Sequence, residues 1–362
     1  MFDVYVMNTK ATILIFISIL FMLSCNSIEP PVNGNGQDTT SHNFVWQSWT
    51  FGEHSTSVLN DVAIIDEKNI WAVGEIYSND SLGQPDPHAF NAIHWDGDDW
   101  NLFRIMFYTI CGQTSRTSYP AKAIFAFNGN DIWIGGGGRQ LVKISGTTQT
   151  ETACASFSIV INKIWGTSSN DLYVVGNTGN MAHYNGTNWQ KIESGTDVDI
   201  QDIWGSVESG TGEPTILAIA SFQNYGRALD LLKIEGTKAV KLDTTGLHVN
   251  QRSVWFAENS KIFIVGNGVY YNDNIITTSW RLDDTHPLIY KERIRGTGSN
   301  DIFIVGDFGL VSHFNGATWK HYAGNELPKL LGNYYSVVLE KNIMVAVGQL
   351  NDRRAIILKG NR

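Results

Sequence analysis

The chain has 362 residues, of which 43% are hydrophobic, 12% aromatic and only 17% charged. That composition supplies a large packed core and excludes disorder over most of the length. The formal net charge is −9 and no basic run is present. A nucleic-acid partner is therefore excluded, because clustered Lys and Arg side chains neutralise the phosphate backbone in such complexes.

The first 24 residues have the pattern of an export signal. Lys10 precedes an uninterrupted apolar run over residues 11–23, which has the length of a signal-peptide core and is short for a bilayer span. The run ends in Ser24-Cys25, which resembles the lipobox of bacterial lipoproteins, so Cys25 is the predicted lipidation site. The alternative is an ordinary cleaved secretory signal in which Cys25 has no role. Residues 25–41 hold Pro, Gly and polar residues without periodicity, which predicts a flexible tether.

Residues 42–362 contain a repeat of about 40 residues. The segment 164–189 returns nearly unchanged at 294–319, with an Asn-Asp pair, an apolar strand, a Gly, an Asn-Gly pair and a Trp in the same places. The glycine closing the second strand of each unit marks seven units, at Gly74, Gly136, Gly176, Gly266, Gly306 and Gly348, with Ala220 as its substitute. Short strands and tight turns at this period predict an all-β fold, a seven-bladed β-propeller of four-stranded antiparallel blades.

Unit three shows the predicted strands most clearly. Ile161 to Trp165 is expected to be an inner strand that alternates apolar and polar residues. The second and third strands are predicted at residues 172–175 and 181–184, and Asn185-Gly186 supplies a tight hairpin before the outer strand that begins at Trp189.

The two ends of the propeller are predicted to complete one blade. Unit seven stops at Gly360 without a fourth strand, while residues 44–49 have an outer-strand pattern with no strands before them. Pairing the N-terminal strand with the last blade would leave no open sheet edge.

The motif from Gly176 to Trp189, and its copy from Gly306 to Trp319, resembles Asp-box or BNR-type propeller repeats. It is especially similar to photosystem II assembly factor-like repeats and to propeller lipoproteins of Gram-negative outer membranes. The resemblance covers residues 44–360 and implies a fold far more specifically than a function, since such propellers include hydrolases, lectins and assembly factors.

The sequence matches no common catalytic motif. The arginines fit no sialidase pattern, and the sequence has no nucleophile elbow, zinc helix or calcium loop, so neither a metal nor a cofactor is predicted. His183 and His313 recur in register, which predicts structural strand residues that pair with a neighbouring blade. The tryptophans Trp71, Trp133, Trp165, Trp204 and Trp255 also recur, which predicts packing between blades.

Three insertions depart from the repeat, and scaffold proteins carry function on such loops. They span residues 75–90, 107–120 and 221–230, and their topology places all three at one end of the central channel, on what we call the loop-rich face. Their aromatic, His and Arg side chains are the predicted ligand-binding residues: Tyr77, His88, Tyr108, Arg116, Tyr119, Tyr225 and Arg227. The alternative is that these are simply long surface loops.

Cys111 and Cys154 lie in successive blade connections on one face and are a predicted disulfide in an exported protein. The alternative is two unrelated thiols.

Two functional hypotheses follow from these patterns. The first is a monomeric, lipid-anchored outer-membrane propeller that binds a glycan or an envelope protein through the loop-rich face without catalysis. The second is a glycan-active hydrolase or lyase at the channel mouth, with Asp80, Asp86, His88 and Tyr119 as candidates for a carboxylate-containing site. A third possibility is an assembly factor for a larger envelope complex. The sequence does not decide which face of the outer membrane the domain occupies.

Overall fold

The computed structural model describes residues 39–155, 159–222, 228–274, 279–328 and 331–362. Regular structure in these ranges is almost entirely β, with a single 3-10 turn at Asp307–Gly309. No helix in the described ranges is long and apolar enough to cross a membrane.

Seven four-stranded antiparallel sheets confirm the predicted seven-bladed β-propeller. The N-terminal strand β1 is Val45–Phe51. The remaining strands follow in chain order from the inside of each blade outwards: blade 1 contains β2 (Val58–Asp66), β3 (Asn69–Ile76), β4 (Phe90–Trp95) and β5 (Trp100–Phe103); a small hairpin is made of β6 (Phe107–Tyr108) and β7 (Arg116–Thr117); blade 2 contains β8 (Ala121–Asn128), β9 (Asp131–Gly136), β10 (Gln140–Ser145) and β11 (Thr148–Cys154); blade 3 contains β12 (Ile161–Ser168), β13 (Asp171–Gly176), β14 (Met181–Tyr184) and β15 (Trp189–Ile192).

The second half of the propeller has the same arrangement. Blade 4 contains β16 (Ile200–Val207), β17 (Pro214–Ser221), β18 (Leu229–Glu235) and β19 (Lys238–Leu242); blade 5 contains β20 (Gln251–Trp255), β21 (Ile262–Gly266), β22 (Gly268–Asn272) and β23 (Arg281–Leu282); blade 6 contains β24 (Lys291–Gly298), β25 (Asp301–Gly306), β26 (Val311–Phe314) and β27 (Trp319–Tyr322); blade 7 contains β28 (Gly332–Glu340), β29 (Ile343–Leu350) and β30 (Ala355–Asn361).

The predicted closure of the last blade is confirmed. Strand β1 pairs antiparallel with β30 along its whole length, from Val45 opposite Asn361 to Phe51 opposite Ala355. Gly360 lies opposite Trp46, and a Cβ atom there would lie 2.5 Å from the indole ring. The inner strands contact one another in sequence around the axis, and β2 contacts β28, so the ring is closed.

Every inner strand carries a β-bulge at the same place. The register slips by one residue just after the strand begins, between Leu59 and Asp61 in blade 1 and between Ile161 and Lys163 in blade 3. The expected strict alternation over Ile161–Trp165 is therefore wrong, because Asn162 and Lys163 are consecutive polar residues and the bulge accommodates both. All seven bulged residues are polar: Asn60, Lys122, Asn162, Gln201, Arg252, Glu292 and Tyr335.

The bulges explain the repeated glycine. Gly176 lies opposite Ile161, at the start of the bulged strand, and a Cβ atom on it would lie 1.9 Å from the carbonyl oxygen of Val160. Gly348 of blade 7 has the same relation to the carbonyl oxygen of Asn333, also at 1.9 Å. A side chain at these positions would collide with backbone, so the sequence period reports where two strands approach most closely.

The five predicted tryptophans do not share one register: Trp71 and Trp133 lie on second strands, whereas Trp165, Trp204 and Trp255 lie on inner strands. Packing between blades is clearest for the inner-strand set. The ring of Trp165 in blade 3 lies against Gly205 of blade 4, where an added Cβ atom would be 2.4 Å from it. Trp255 of blade 5 lies in the same way against Gly296 of blade 6. The indoles of Trp165 and Trp255 therefore fill the wedges between successive sheets, whereas Trp71 packs on His94 and Phe103 of its own blade.

The recurring histidines each bond an aspartate of their own blade. The predicted pairing with a neighbouring blade is seen only for His313, whose Nδ1 also lies 2.8 Å from His42 Nδ1, in the segment that leads into β1 of blade 7. His183 Nε2 lies 2.6 Å from Asp171 Oδ1, and His313 Nε2 lies 2.9 Å from Asp301 Oδ1. Each aspartate begins the second strand of its blade and each histidine lies on the adjacent third strand. These pairs therefore join neighbouring strands of one sheet.

Candidate binding face

The middle of the central channel is closed by buried polar side chains from the inner strands. On one side, Lys163 Nζ lies 2.6 Å from both carboxylate oxygens of Asp61. Asp61 also accepts hydrogen bonds from Ser336 Oγ at 2.7 Å and from the backbone N–H of Ile124 at 3.0 Å. Burial alone would raise the pKa of Asp61, but Lys163 and Arg293 hold it below its usual value.

On the other side, Asp202 is surrounded by two arginines. Its Oδ1 lies 2.7 Å from Arg293 Nη1 and 2.7 Å from Arg295 Nη2, and its Oδ2 accepts a bond from Ser253 Oγ at 2.5 Å. Although burial opposes ionisation, the two guanidinium groups lower the pKa of Asp202 well below its usual value. The five charged groups Asp61, Lys163, Asp202, Arg293 and Arg295, which we call the axial cluster, divide the channel into two cavities.

The cavity above the axial cluster opens on the loop-rich face and has a volume of about 670 Å³. We call it the mouth cavity. Six of the seven bulged residues line it, with Arg293 as a further cation and Asp199 as an acidic group. A bulge re-aims a side chain, and six of the seven equivalent bulges here turn a polar group toward this opening.

Several bulged residues also connect neighbouring blades. Asn60 donates to the carbonyl of Ala121 at 2.8 Å, and Asn162 donates to the carbonyl of Ile200 at 3.0 Å. Arg252 Nε lies 2.8 Å from Glu292 Oε2. The ring is thus held in position by bonds that cross from blade to blade, which makes it a preorganised surface.

Two tyrosines border the Arg252–Glu292 pair. Burial, followed by the charges of Glu292 and Asp307, raises the pKa of Tyr290 to about 12 even though Arg252 acts in the opposite direction. Burial and Glu292 also raise the pKa of Tyr335. These phenols therefore remain protonated at physiological pH and can donate hydrogen bonds.

The first insertion contains the predicted residues Tyr77 and His88 and the alternative candidates Asp80 and Asp86. Tyr77 donates to Glu75 at 2.7 Å, and Asp80 accepts backbone bonds from its own turn at 2.8 and 2.9 Å. Asp86 accepts the His88 backbone N–H at 2.9 Å and pairs with Arg104. These bonds lower the pKa of Asp86, the opposite of what a general acid requires.

The second insertion forms the β6–β7 hairpin, which lies against blade 2. Arg116 stacks on Tyr108, with its guanidinium carbon 5.0 Å from the ring centroid, and Tyr119 is 38% exposed. Beneath them, Phe107 is fully buried. The hairpin is joined to the end of β11 by a disulfide between Cys111 and Cys154.

The structure brings the first two insertions together but keeps their predicted residues outside the mouth cavity. Asn91 donates to the carbonyls of Ile105 and Tyr119, at 2.8 and 2.7 Å, and Ser118 bonds the carbonyl of Ala89. Tyr77, His88, Tyr108, Arg116 and Tyr119 do not line the mouth cavity. They lie beside it, and their part in binding stays a prediction.

The third insertion reaches the mouth cavity through Phe222, which lines it and is 37% exposed. The predicted residues Tyr225 and Arg227 lie outside the described residues, as does the predicted lipidation site Cys25.

Two other cavities differ in character. The one below the axial cluster, of about 530 Å³, is lined mainly by apolar groups such as Ile64, Phe125 and Leu339. A cavity of about 710 Å³ at the outer rim of blades 3 and 4 is lined by Lys191, Glu193, Asp230 and Lys241, which pair among themselves. The mouth cavity therefore combines an axial position with polar groups that face the opening.

Sequence reasoning missed the bulged ring and the axial cluster. Their signal was present as two consecutive non-aliphatic residues ahead of an aliphatic one, as in Asn60-Asp61-Val62 and Gln201-Asp202-Ile203. Strict alternation would have placed only one of each pair inward.

Comparison with known proteins supports the fold. No family model matches the chain, and no curated protein matches it. Among solved structures, it is similar to YCF48 bound to a D1 peptide, with a TM-score of 0.63 and 16% identity over 90% of this chain and 98% of the other. YCF48 from Cyanidioschyzon merolae gives a TM-score of 0.59 and 13% identity over 87% and 98% of the two chains. The WD40 propeller domain of Doa1 gives 0.57 and 11% over 90% and 97%. These likenesses show the propeller fold, including the resemblance to photosystem II assembly factor-like propellers.

Proposed function

We propose that this chain is a non-enzymatic binding module that takes a segment of a partner protein on its loop-rich face, over the mouth cavity. The observation that carries the proposal is the preorganised polar ring around a cavity of about 670 Å³. A cavity of this size accommodates a few side chains or a short stretch of chain.

Two further observations support a protein segment as the ligand. One of the similar propellers is YCF48 in a structure bound to a D1 peptide, so a propeller with this strand arrangement takes a peptide there. In the present chain, Tyr108 has Arg116 stacked on its ring, which occupies a surface that a sugar ring would use. The joined insertions beside the mouth instead offer backbone and mixed polar groups.

Photocrosslinking tests this function. A photoreactive residue placed at Phe222, in the full chain expressed in the source cells, is expected to crosslink one defined segment of an envelope protein. The same residue at Val207, 42% exposed on the opposite face, is the matched control. A synthetic peptide of that segment should bind the purified chain, and Phe222→Asp should weaken binding about tenfold while Val207→Asp leaves it unchanged. Equal crosslinking from both positions, or binding on a glycan array alone, would overturn the proposal.

We also propose that the chain is lipid-anchored through Cys25 at the outer membrane. The apolar run before Ser24-Cys25 supports this, as does the Cys111–Cys154 disulfide, since such bonds persist in oxidising compartments. Labelling cells with an alkyne fatty acid should tag the wild-type chain in the outer-membrane fraction. Cys25→Ser should lose the label, and a label that persists would contradict this assignment.

A further inference from the structure

The axial cluster is not electrically balanced. Its three cations, Lys163, Arg293 and Arg295, face two carboxylates, Asp61 and Asp202, and the cluster therefore holds one formal positive charge in excess. All five residues are at least 95% buried. An unbalanced charge in a medium of low dielectric constant is costly, so a compensating anion is expected nearby.

Arg293 is the member whose bonding is incomplete. Its Nη1 atom forms an ion pair with Asp202 Oδ1 at 2.7 Å, but among the residues that the structure describes its buried Nε atom has no acceptor. Arg295 differs, because it donates to Asp202, to Ser253 Oγ and to the carbonyls of Val254 and Ile294. Arg293 is therefore the member of the cluster that still has an N–H group to donate to a ligand.

Arg293 also faces a cavity that suits an anion. It forms part of the wall of the mouth cavity, together with Lys122 and Arg252. Of the acidic groups near this wall, Glu292 is paired with Arg252, and Asp199 accepts the backbone N–H of Thr178 at 2.8 Å and remains a carboxylate of the wall. The cations Arg293 and Lys122 still outnumber it. On the opposite side, the cavity of about 530 Å³ is mainly apolar. An anion thus approaches Arg293 from the loop-rich face.

We propose that Arg293, with Lys122 at the rim, forms a seat for a single carboxylate in the floor of the mouth cavity. A guanidinium presents paired N–H groups that match the two oxygens of a carboxylate, and one negative charge balances the axial cluster. The inference rests on the proposed function in naming the group that the bound protein segment presents. That carboxylate is either a C-terminal carboxylate or an Asp or Glu side chain.

The charge of Lys163 supports the same geometry. Burial, and then the nearby Arg293 and Arg295, lower the pKa of Lys163 to about 8 despite the attraction of Asp61. An anion at Arg293 would relieve part of this repulsion. One negative charge therefore stabilises this cluster more than it would stabilise an isolated arginine.

The first test uses sodium acetate as the probe and needs no partner. In 0.1 M acetate at neutral pH, the unfolding midpoint of the full chain should rise by about 2 °C relative to chloride of equal ionic strength. Arg293→Met should remove the rise, and Arg281→Met, which alters an exposed arginine paired with Asp273, should keep it. Since Arg293→Met could disturb folding, Lys122→Met at an exposed position provides a second variant, in which the rise should shrink. No acetate effect on the wild-type chain would overturn the seat.

The second test identifies the source of the carboxylate. The peptide mapped by crosslinking is titrated calorimetrically with a free C-terminus, as the C-terminal amide, and with each Asp or Glu replaced by Asn or Gln. One of these changes in the peptide should weaken its binding to the wild-type chain about tenfold. The same change should have little effect on its binding to the Arg293→Met variant. A peptide that binds equally well in every form would overturn the inference and leave the proposed function intact. An acetate effect without any peptide partner would support the seat and count against the proposed function.

Discussion

At the scale of single residues, the axial cluster is the most consequential group in the molecule. Asp202 neutralises two buried arginines at once, so removing its charge leaves both uncompensated. Breaking a buried ion pair from one side costs about 3–5 kcal/mol, because the remaining charge stays in a medium of low dielectric constant. Asp202→Asn is therefore expected to lower the free energy of unfolding by at least about 3 kcal/mol in a denaturant titration.

The matched control is Asp352, an exposed carboxylate paired with Arg354 at 2.7 Å. Because exposed ion pairs contribute about 0–1 kcal/mol, Asp352→Asn should change the free energy of unfolding by less than about 1 kcal/mol. Equal effects of the two substitutions would contradict the special role of the cluster.

The lowered pKa of Lys163 predicts how the free energy of unfolding depends on pH. Its pKa is about 8 in the folded chain and 10.5 as a free side chain. Between these values the unfolded chain binds a proton that the folded chain does not, so stability rises with pH. The charged groups that face this amine are Asp61, Asp202, Arg293 and Arg295. The contribution of Lys163 should reach about 2 kcal/mol between pH 8 and 10.

The measurement is the free energy of unfolding at pH 7, 8, 9 and 10 for the wild-type chain and for Lys163→Met. The difference between the two should grow above pH 8 and stay constant below it. Parallel curves would show that Lys163 titrates normally.

At the scale of the structural element, the bulged inner strand is the repeating unit of both architecture and site. One slip of register determines where glycine must stand on the second strand and which side chain faces the mouth cavity. The sequence revealed the first consequence through the period of Gly74 to Gly348. Which side chain faces the mouth cavity could not be predicted in this way. Strict alternation assumes a regular strand, and a bulge is a local departure from that regular backbone.

A glycine substitution tests the bulge directly. Gly176→Ala would place a methyl group 1.9 Å from the carbonyl oxygen of Val160. That oxygen accepts the backbone N–H of Asn177 at 3.1 Å, next to the Ile161–Gly176 pair that opens the ladder, so it cannot move away freely. We expect a loss of about 3 kcal/mol in the free energy of unfolding. Gly210→Ala is the control, because nothing lies within 4 Å of the added atom. It should stay within about 0.5 kcal/mol of the wild-type value.

At the scale of the whole molecule, the repeat predicted the number of blades, their strand count and the closure of the ring. It predicted these because each depends on a local signal that recurs, such as the glycine or the Asn-Gly turn. In the axial cluster the residue type does not recur from one repeat to the next. Equivalent positions of the inner strands carry the unlike residues Asp61, Lys163, Asp202 and Arg293. Only the circular fold brings the cluster together, from residues as far apart in sequence as Asp61 and Arg295. Repetition marks the scaffold, whereas the candidate site consists of positions where the repeats differ.

The last prediction concerns strand β1, which closes the propeller ring by completing blade 7. This strand covers β30 and packs Trp46, Trp49 and Phe51 onto blade 7 and its neighbours. A chain that lacks residues 1–51 would expose the edge of β30 and lose the burial of three aromatic side chains. Burial of each aromatic side chain stabilises the fold by about 1.5–3 kcal/mol, so the unfolding midpoint of the shortened chain should fall by on the order of 10 °C.

The exposed edge should also cause concentration-dependent association in sedimentation velocity, because an unpaired strand is a template for pairing with another chain. Removing only residues 1–38 leaves β1 in place and should change neither property. A synthetic peptide of residues 39–51 should restore the midpoint of the shortened chain by occupying the vacant edge. If the shortened chain remained monomeric and as stable as the wild-type chain, the ring would not depend on its N-terminal strand.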